Sequence, residues 1–311
     1  MQTILNLLLK FFSEREKRIL DFALHTDALR HKDSADHADY LYWESQVDFW
    51  RHYPSPIRPS TGDLKIYSDF LGTGKTDGNI LILGSTPELR DLAAQTHAAN
   101  IWIADFSYLM PSEMLKFTKY VDPFNEKWIK CDWLELPFPE LFFNVILGDL
   151  VLQQIRPAQE SGFLRKIASL LKKDGVFVGR MNFLDDDLRK DSIDNIVETS
   201  LRLPFTFWQR FVRLKLKILW LCADPKTRSL NRQLSFEKFS EFLARTEIRN
   251  GALDAVKKDL ARHKDSFRNW CSPYEQGLTS MLSRYFELSE KKAADDYEHA
   301  RYYPIYLLKR R

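Results

Sequence analysis

The chain has 311 residues, 44% of them hydrophobic, and its 46 Lys and Arg against 43 Asp and Glu leave a formal charge of +3. That length and apolar content fit one large globular domain or a domain with an elaborate cap and exclude a disordered chain. A charge so near balance gives no electrostatic ground for nucleic-acid or anionic-membrane binding. Cys131, Cys222 and Cys271 are odd in number and far apart, so neither a disulfide framework nor a zinc knuckle is suggested, and a reducing, cytoplasmic setting fits best. Aromatic residues make up 14% of the chain and must be buried or line a pocket.

Met1 to Phe12 is apolar, but Lys10 interrupts the run and Glu14, Arg15, Glu16, Lys17 and Arg18 follow it. Without a positive start or a small-residue cleavage site, this stretch is expected to be an amphipathic helix to about Ala23, not a signal peptide or a membrane span. His25, His31 and His37 recur six apart among Asp27, Asp33 and Asp36. Ligands on a helix stand three or four apart, so a solvated linker is expected here and no metal. A short aromatic helix is expected from Tyr40 to Arg51. Pro54, Pro56 and Pro59 then force an extended segment, and Ser60 or Thr61 caps a helix over about 62–71. That segment, carrying Trp50, Tyr53 and Arg58 just ahead of the first strand, either folds across a site as a lid or covers the sheet edge.

Ile80 to Leu89, reading Ile-Leu-Ile-Leu-Gly-Ser-Thr-Pro-Glu-Leu, combines a buried strand, a tight turn and a helix start. Four apolar residues before Gly84 suit a central parallel strand buried on both faces. Ser85 or Thr86 is expected to cap a helix with Pro87 at its first position, where the missing N–H costs nothing. Such a turn aims backbone N–H groups at an anionic or ribose-bearing ligand. Strand and helix then alternate. Strands are expected at 80–84, 100–105, 128–132, 143–149 and 176–182, with helices at 88–96, 111–120 and 159–172 and a turn at Lys173-Asp174-Gly175. This alternation predicts a parallel, doubly wound α/β sheet.

Helices are expected next at 192–203, 205–222, 235–246, 252–270 and 274–284. Strand character returns at 285–291 and 302–309. The helices therefore form a cap inserted before the last two strands. Within it, residues 205–222 combine Phe205, Phe207, Trp208, Phe211 and Trp220 with Arg210, Arg213, Lys215 and Lys217. An apolar cap helix with snorkelling cations is the expectation, ahead of binding an acidic or aromatic small molecule or nucleic acid.

Five βα units closed by a strand pair resemble the class I S-adenosylmethionine-dependent methyltransferases, well over 79–182 and by topology only over 285–308. The resemblance implies a Rossmann-like fold with a mostly parallel seven-stranded sheet. Its parts are an N-terminal helical and lid segment at 1–78, a cofactor-binding core at 79–184, a helical cap at 185–284 and closing strands at 285–311. It implies that the turn Gly84-Ser85-Thr86 meets the methionine part of the cofactor, although the family's three-glycine pattern is reduced here to one glycine. Asp105, about twenty residues past Gly84, would hold the ribose with Phe106 beside it. Asp132 would accept from the adenine amino group while Trp133 or Leu134 packs on the purine. Asp149 would lie beside the methionine moiety and the acceptor, with Gln153 where the family often has a histidine. Tyr53 and Trp50 would face the sulfonium, and Arg58 would pair with the methionyl carboxylate.

The function implied is methyl transfer to a small-molecule acceptor under the cap, with S-adenosylmethionine as cofactor and Asp149 and Gln153 nearest the chemistry. The alternatives are a non-methylating use of the same cofactor, by cyclisation or aminocarboxypropyl transfer, and a silent cofactor-binding scaffold. A nicotinamide dinucleotide is disfavoured because Thr86 stands where its fingerprint needs a second glycine. No nucleic-acid partner is expected, and the oligomeric state is left open.

Overall fold

Strands form where the apolar runs fall. The computed structural model describes residues 47–73, 76–266 and 268–311. The expected N-terminal helix, the histidine-bearing linker and the start of the aromatic helix lie outside these residues. A 3-10 turn, Val47–His52, leads into the proline segment. Helix α1, Thr61–Gly72, then begins at a reciprocal cap: the Ser60 hydroxyl accepts from Asp63 N while the Asp63 carboxylate accepts from Ser60 N.

The core follows as β1 (Asn79–Leu83), α2 (Pro87–Ala94), β2 (Asn100–Asp105), α3 (Leu109–Met114), β3 (Glu126–Lys130), β4 (Phe143–Asp149), α4 (Glu160–Leu170) and β5 (Leu171–Arg180). Five helices come next: α5 (Ile193–Arg202), α6 (Phe207–Leu221), α7 (Arg232–Arg245), α8 (Gly251–His263) and α9 (Glu275–Leu282). The chain closes with β6 (Phe286–Lys292) and β7 (Ile305–Arg310). The seven strands lie in the order β3-β2-β1-β4-β5-β7-β6. β1 to β5 are mutually parallel, and β7 runs antiparallel to both β5 and β6. This is the doubly wound, mostly parallel seven-stranded sheet expected, with the helical insertion before its last two strands.

Several boundaries differ from expectation. β3 starts at Glu126, earlier than expected, because the Glu126 carboxylate is fixed by the buried guanidinium of Arg90, with contacts of 2.9 and 2.6 Å. β5 begins at Leu171 and runs through the expected turn, and a register shift against β4 between Phe143 and Val145 absorbs the irregularity. The helix after β2 ends at Met114 in a 3-10 turn, Leu115–Phe117. α8 stops at His263 and not at Trp270, because the buried stripe Ala252, Leu253, Val256 and Leu260 reaches Lys264 at its next position.

Alternating side chains of the inner strands feed two cores. Ile80, Ile82, Ile103, Val145, Leu147 and Val178 pack with Tyr67 and Phe70 of α1 and Leu89 of α2. On the other face, Leu81, Leu83, Ile146 and Phe177 pack with Phe163, Leu164 and Ile167 of α4. That second core continues without a break into Phe211, Leu214 and Ile218 of α6 and Val256 of α8, so the cap shares the sheet's core. Polar contacts fix the same junction. Arg228, between α6 and α7, grips Glu160 of α4 at 2.9 and 2.6 Å, and Leu184 N donates to Pro273 O at 2.9 Å. No helix among the described residues is long and apolar enough to cross a membrane.

Candidate active site

The carboxyl ends of β1 to β4 face a cavity of about 1290 Å³. In open α/β sheets this is where ligands bind. Its floor is made by Gly84, Ser85 and Thr86 after β1, Asp105 and Phe106 after β2, Asp132 and Trp133 after β3, and Asp149 after β4. Trp50, Tyr53 and Ile57 form a side wall. Side chains of the cap, from Lys215 and Leu216 to Arg268, form the roof.

Gly84 has φ +81°, a conformation that L side chains rarely adopt, which is why the turn needs glycine here. Its N–H donates to Ala104 O at 2.8 Å, and the Trp133 indole donates to the same carbonyl at 2.8 Å. The Trp133 ring lies over the turn, with its nearest atom 3.5 Å from where a Cβ on Gly84 would sit. Neither Ser85 nor Thr86 caps α2 with its side chain. Thr86 holds the N-cap position without such a bond, while the Ser85 hydroxyl donates to Asp105 Oδ2 at 2.6 Å. A buried carboxylate outcompetes the helix for that hydroxyl, and the first turn of α2 is left for another acceptor.

Asp105 is only 4% exposed. Burial pushes its carboxyl up to about 6, against the pull of hydrogen bonds from Ser85 and from the backbone N–H groups of Ser107 and Phe106. Asp132 is exposed and caps the 3-10 turn Trp133–Glu135, accepting from Leu134 N at 2.9 Å. Tyr53 and Trp50 are buried, and Tyr53 meets the cap edge-on at Trp208, ring centroids 5.6 Å apart. Phe49 and His52 pack on the same indole at 5.5 and 5.4 Å. The proline segment therefore lies against the cap and closes one side of the cavity.

Asp149 is at the floor, but its carboxylate is committed. The fully buried Arg180 of β5 donates to it twice, at 2.6 and 3.0 Å. The same guanidinium reaches Asp63 Oδ2 at 2.7 Å and Pro56 O at 2.9 Å. One arginine thus joins the end of β4, the start of α1 and the proline segment. Burial raises the Asp149 carboxyl to about 6 in spite of that neighbouring charge. Leu150, the next residue, has φ +53°, a left-handed conformation that turns the chain sharply at the cavity.

Arg58 is placed differently from its expected contact. Its guanidinium meets Glu88 of α2 at 2.5 Å and donates to Trp50 O at 3.3 Å, and it is absent from the cavity lining. Gln153 also stands off the lining. It packs against Asn182, and its carbonyl accepts from the Trp270 indole at 3.2 Å, while Gln154 faces the cavity and receives Arg268. The 3-10 turn Leu152–Gln154 rotates the two glutamines to different sides.

Sequence reasoning missed Arg180 and all of the charged roof but Lys215. A signal for Arg180 existed: a lone arginine ends the apolar strand Val-Phe-Val-Gly-Arg, and its register partner is Asp149. For the roof the signal was confined to Lys215 in the basic-aromatic stretch 205–222, because Arg232, the pair Arg262 and His263, and Arg268 come from other elements. His263 Nδ1 lies 2.8 Å from Asp259 O. Against the penalty of burial, His263 and Lys215 hold the Asp259 carboxyl down at about 2. The other cations of α6 are tied within the protein, Arg213 and Lys217 to Glu298 and Arg210 to backbone carbonyls, where the snorkelling expectation had their charged heads reach solvent. Among the described residues, no three His, Cys, Asp or Glu side chains gather as a metal site.

No family model matches the sequence, and no curated protein matches it. Solved structures do resemble the fold. A Rhodobacter sphaeroides protein described as a Zn-dependent alcohol dehydrogenase is 15% identical, with a TM-score of 0.58 over 89% of this chain and 100% of that one. The N-methyltransferase NodS from Bradyrhizobium japonicum WM9, in complex with S-adenosylhomocysteine, is 11% identical, with a TM-score of 0.48 over 87% of this chain and 97% of that one. At such identities a likeness speaks for fold alone. The chain has the Rossmann-like α/β fold with the mostly parallel seven-stranded sheet that the resemblance implied, and its last strand is antiparallel to both neighbours.

Proposed function

We propose that this chain binds S-adenosylmethionine on the cavity floor and transfers its methyl group to a small-molecule acceptor beneath the cap. The observation that carries this reading is the gathering of Gly84, Asp105 and Asp132 from successive strand ends in one cavity under a separate roof.

The donor set suits that cofactor. The two oxygens of Asp105 offer about four acceptor sites, so the bonds from Ser85, Ser107 and Phe106 leave capacity for a ribose hydroxyl. Asp132 can accept an adenine amino group, with the Trp133 indole as an apolar surface for the purine. The uncapped start of α2 can receive the methionyl carboxylate. The bound cofactor supplies an electrophilic methyl group. Alignment and exclusion of water then account for most of the rate, and these are what the proline segment and cap provide. The ring faces of Trp50 and Tyr53 favour a sulfonium by about 0.5–2 kcal/mol. Arg58 acts through Glu88, pinning the proline segment onto α2. Asp149, locked by Arg180, shapes the end of β4 and is not a base.

Calorimetric titration of the full chain with S-adenosylhomocysteine tests the reading. Saturable binding is expected, weakened about tenfold or more in Asp105→Ala and in Asp132→Ala. Absence of binding to the wild-type chain would refute it. Incubation with S-adenosylmethionine alone is expected to yield no methylthioadenosine, and its formation would shift the assignment to a non-methylating reaction.

A further inference from the structure

We infer that Leu150 is a specificity-determining residue and that the acceptor seats an apolar body, ring or alkyl, against it, together with Ile57 of the proline segment and Leu216 of α6. This deepens the methyl-transfer reading and rests on it for assigning the floor to the cofactor. A cavity for one drug-sized ligand runs to about 300–1,000 Å³. At about 1290 Å³, this one has room for a second molecule.

Leu150 holds a backbone conformation that its side chain makes costly. At φ +53° the Cβ crowds the following carbonyl, and glycine or asparagine is what such a position ordinarily takes. The surrounding bonds impose that conformation. The Asp149 carboxylate takes two bonds from Arg180, and the Tyr67 hydroxyl bridges Gly148 O and Arg180 N at 2.8 Å each. Leu150 N in turn donates to Arg180 O at 2.9 Å. Core filling accounts for only part of the leucine, because Leu147 and Leu152 nearby are buried while Leu150 is half-buried and lines the cavity. Strained residues of this kind cluster where a ligand is held.

Two other elements repeat the pattern. Ile57 and Leu216 are likewise half-buried, line the same cavity and pack against the same apolar cluster as Leu150. The buried Ile155 and Leu219 extend that surface. Two polar neighbours in the lining are committed elsewhere, the Asp149 carboxylate to Arg180 and the Gln154 amide oxygen to Arg268. A polar group of the acceptor seated against the three aliphatic side chains would give up its water without a bond from them in return. An aromatic or alkyl surface gains by covering them.

The test is calorimetric titration of phenol and 2-naphthol into the full chain, with and without saturating S-adenosylhomocysteine. The second ring is expected to add about tenfold or more in affinity. Leu150→Asn, which suits the left-handed conformation, and Leu216→Gln should each shrink that margin to about threefold or less, with S-adenosylhomocysteine affinity changed by less than about threefold. Should Leu150→Asn fail to fold in a thermal melt, Leu150→Ala, which keeps the backbone conformation and removes the side chain, carries the same expectation. Leu150→Met, which keeps the apolar volume, should hold the full margin, as should Leu288→Ala at an exposed position of β6. No margin in the wild type, silence from both probes, a margin unchanged in the Leu150 or Leu216 variant, or S-adenosylhomocysteine affinity lost in step with it would overturn the inference. S-adenosylhomocysteine binding without the margin sinks this inference alone. The margin without S-adenosylhomocysteine binding sinks the methyl-transfer reading alone.

Discussion

At the scale of single residues, the burial of Asp105 on the cavity floor comes at the expense of stability. Its carboxyl titrates at about 6, above the ordinary 3.8, because it is buried. Between those values the folded chain holds a proton that the unfolded chain releases. The group's contribution is therefore fully present at low pH and is lost as pH rises through about 6. At neutral pH this amounts to a penalty of about 3 kcal/mol. Asp105→Asn should accordingly raise the melting temperature of the ligand-free protein at pH 7, less so at pH 5, while weakening S-adenosylhomocysteine about tenfold. Calorimetry of the wild type should show affinity falling as pH drops below 6, and a flat profile would contradict the role given to Asp105. Arg180 is the opposite case. Removing it in Arg180→Gln leaves Asp63 and Asp149 as uncompensated buried charges, and a loss of about 3–5 kcal/mol is expected in urea unfolding.

At the scale of elements, the contact that shapes the cavity wall is the one between the proline segment and α6. Phe49, His52 and Tyr53 all meet Trp208, whose ring therefore links two parts of the chain far apart in sequence. Each aromatic pair contributes about 0.5–1.5 kcal/mol beyond the area it buries. Trp208→Ala should leave the sheet intact but speed hydrogen exchange across 47–59 and lower S-adenosylhomocysteine affinity. Unchanged exchange there would show that Arg58 and Arg180 hold the segment without the cap. The turn after β1 makes a second case. Gly84→Ala places a Cβ at ordinary contact distance from Trp133, so its cost comes from φ +81° alone and should be about 1–2 kcal/mol.

At the scale of the molecule, the apolar core that starts under β1 and β4 continues into α6 and α8. Sheet and cap are therefore expected to unfold in one denaturant transition, coincident by fluorescence and circular dichroism. Separated transitions would show that the cap is independently stable. S-adenosylhomocysteine at about a hundred times its dissociation constant should stabilise that whole unit by about 2.7 kcal/mol.

The amino-acid sequence alone determined the alternation of strands and helices, the buried character of β1 and β4, and the spacing of Gly84, Asp105, Asp132 and Asp149 at strand ends. These features are local in the chain: period, turn chemistry and an acid after an apolar run can all be read within a few residues. Boundaries such as the start of β3 at Glu126 and the end of α8 at His263 were displaced because a distant partner, or the end of a buried stripe, settled them. The tertiary structure alone decided that Arg58 turns to Glu88, that Ser85 serves Asp105 instead of capping α2, that Gln154 and not Gln153 meets the cavity, and that Arg180 neutralises Asp149. It also gathered the cations of three helices and a loop onto one roof. Each of these depends on which charges and donors are brought together after the hydrophobic faces close, and burial is what makes those pairings obligatory.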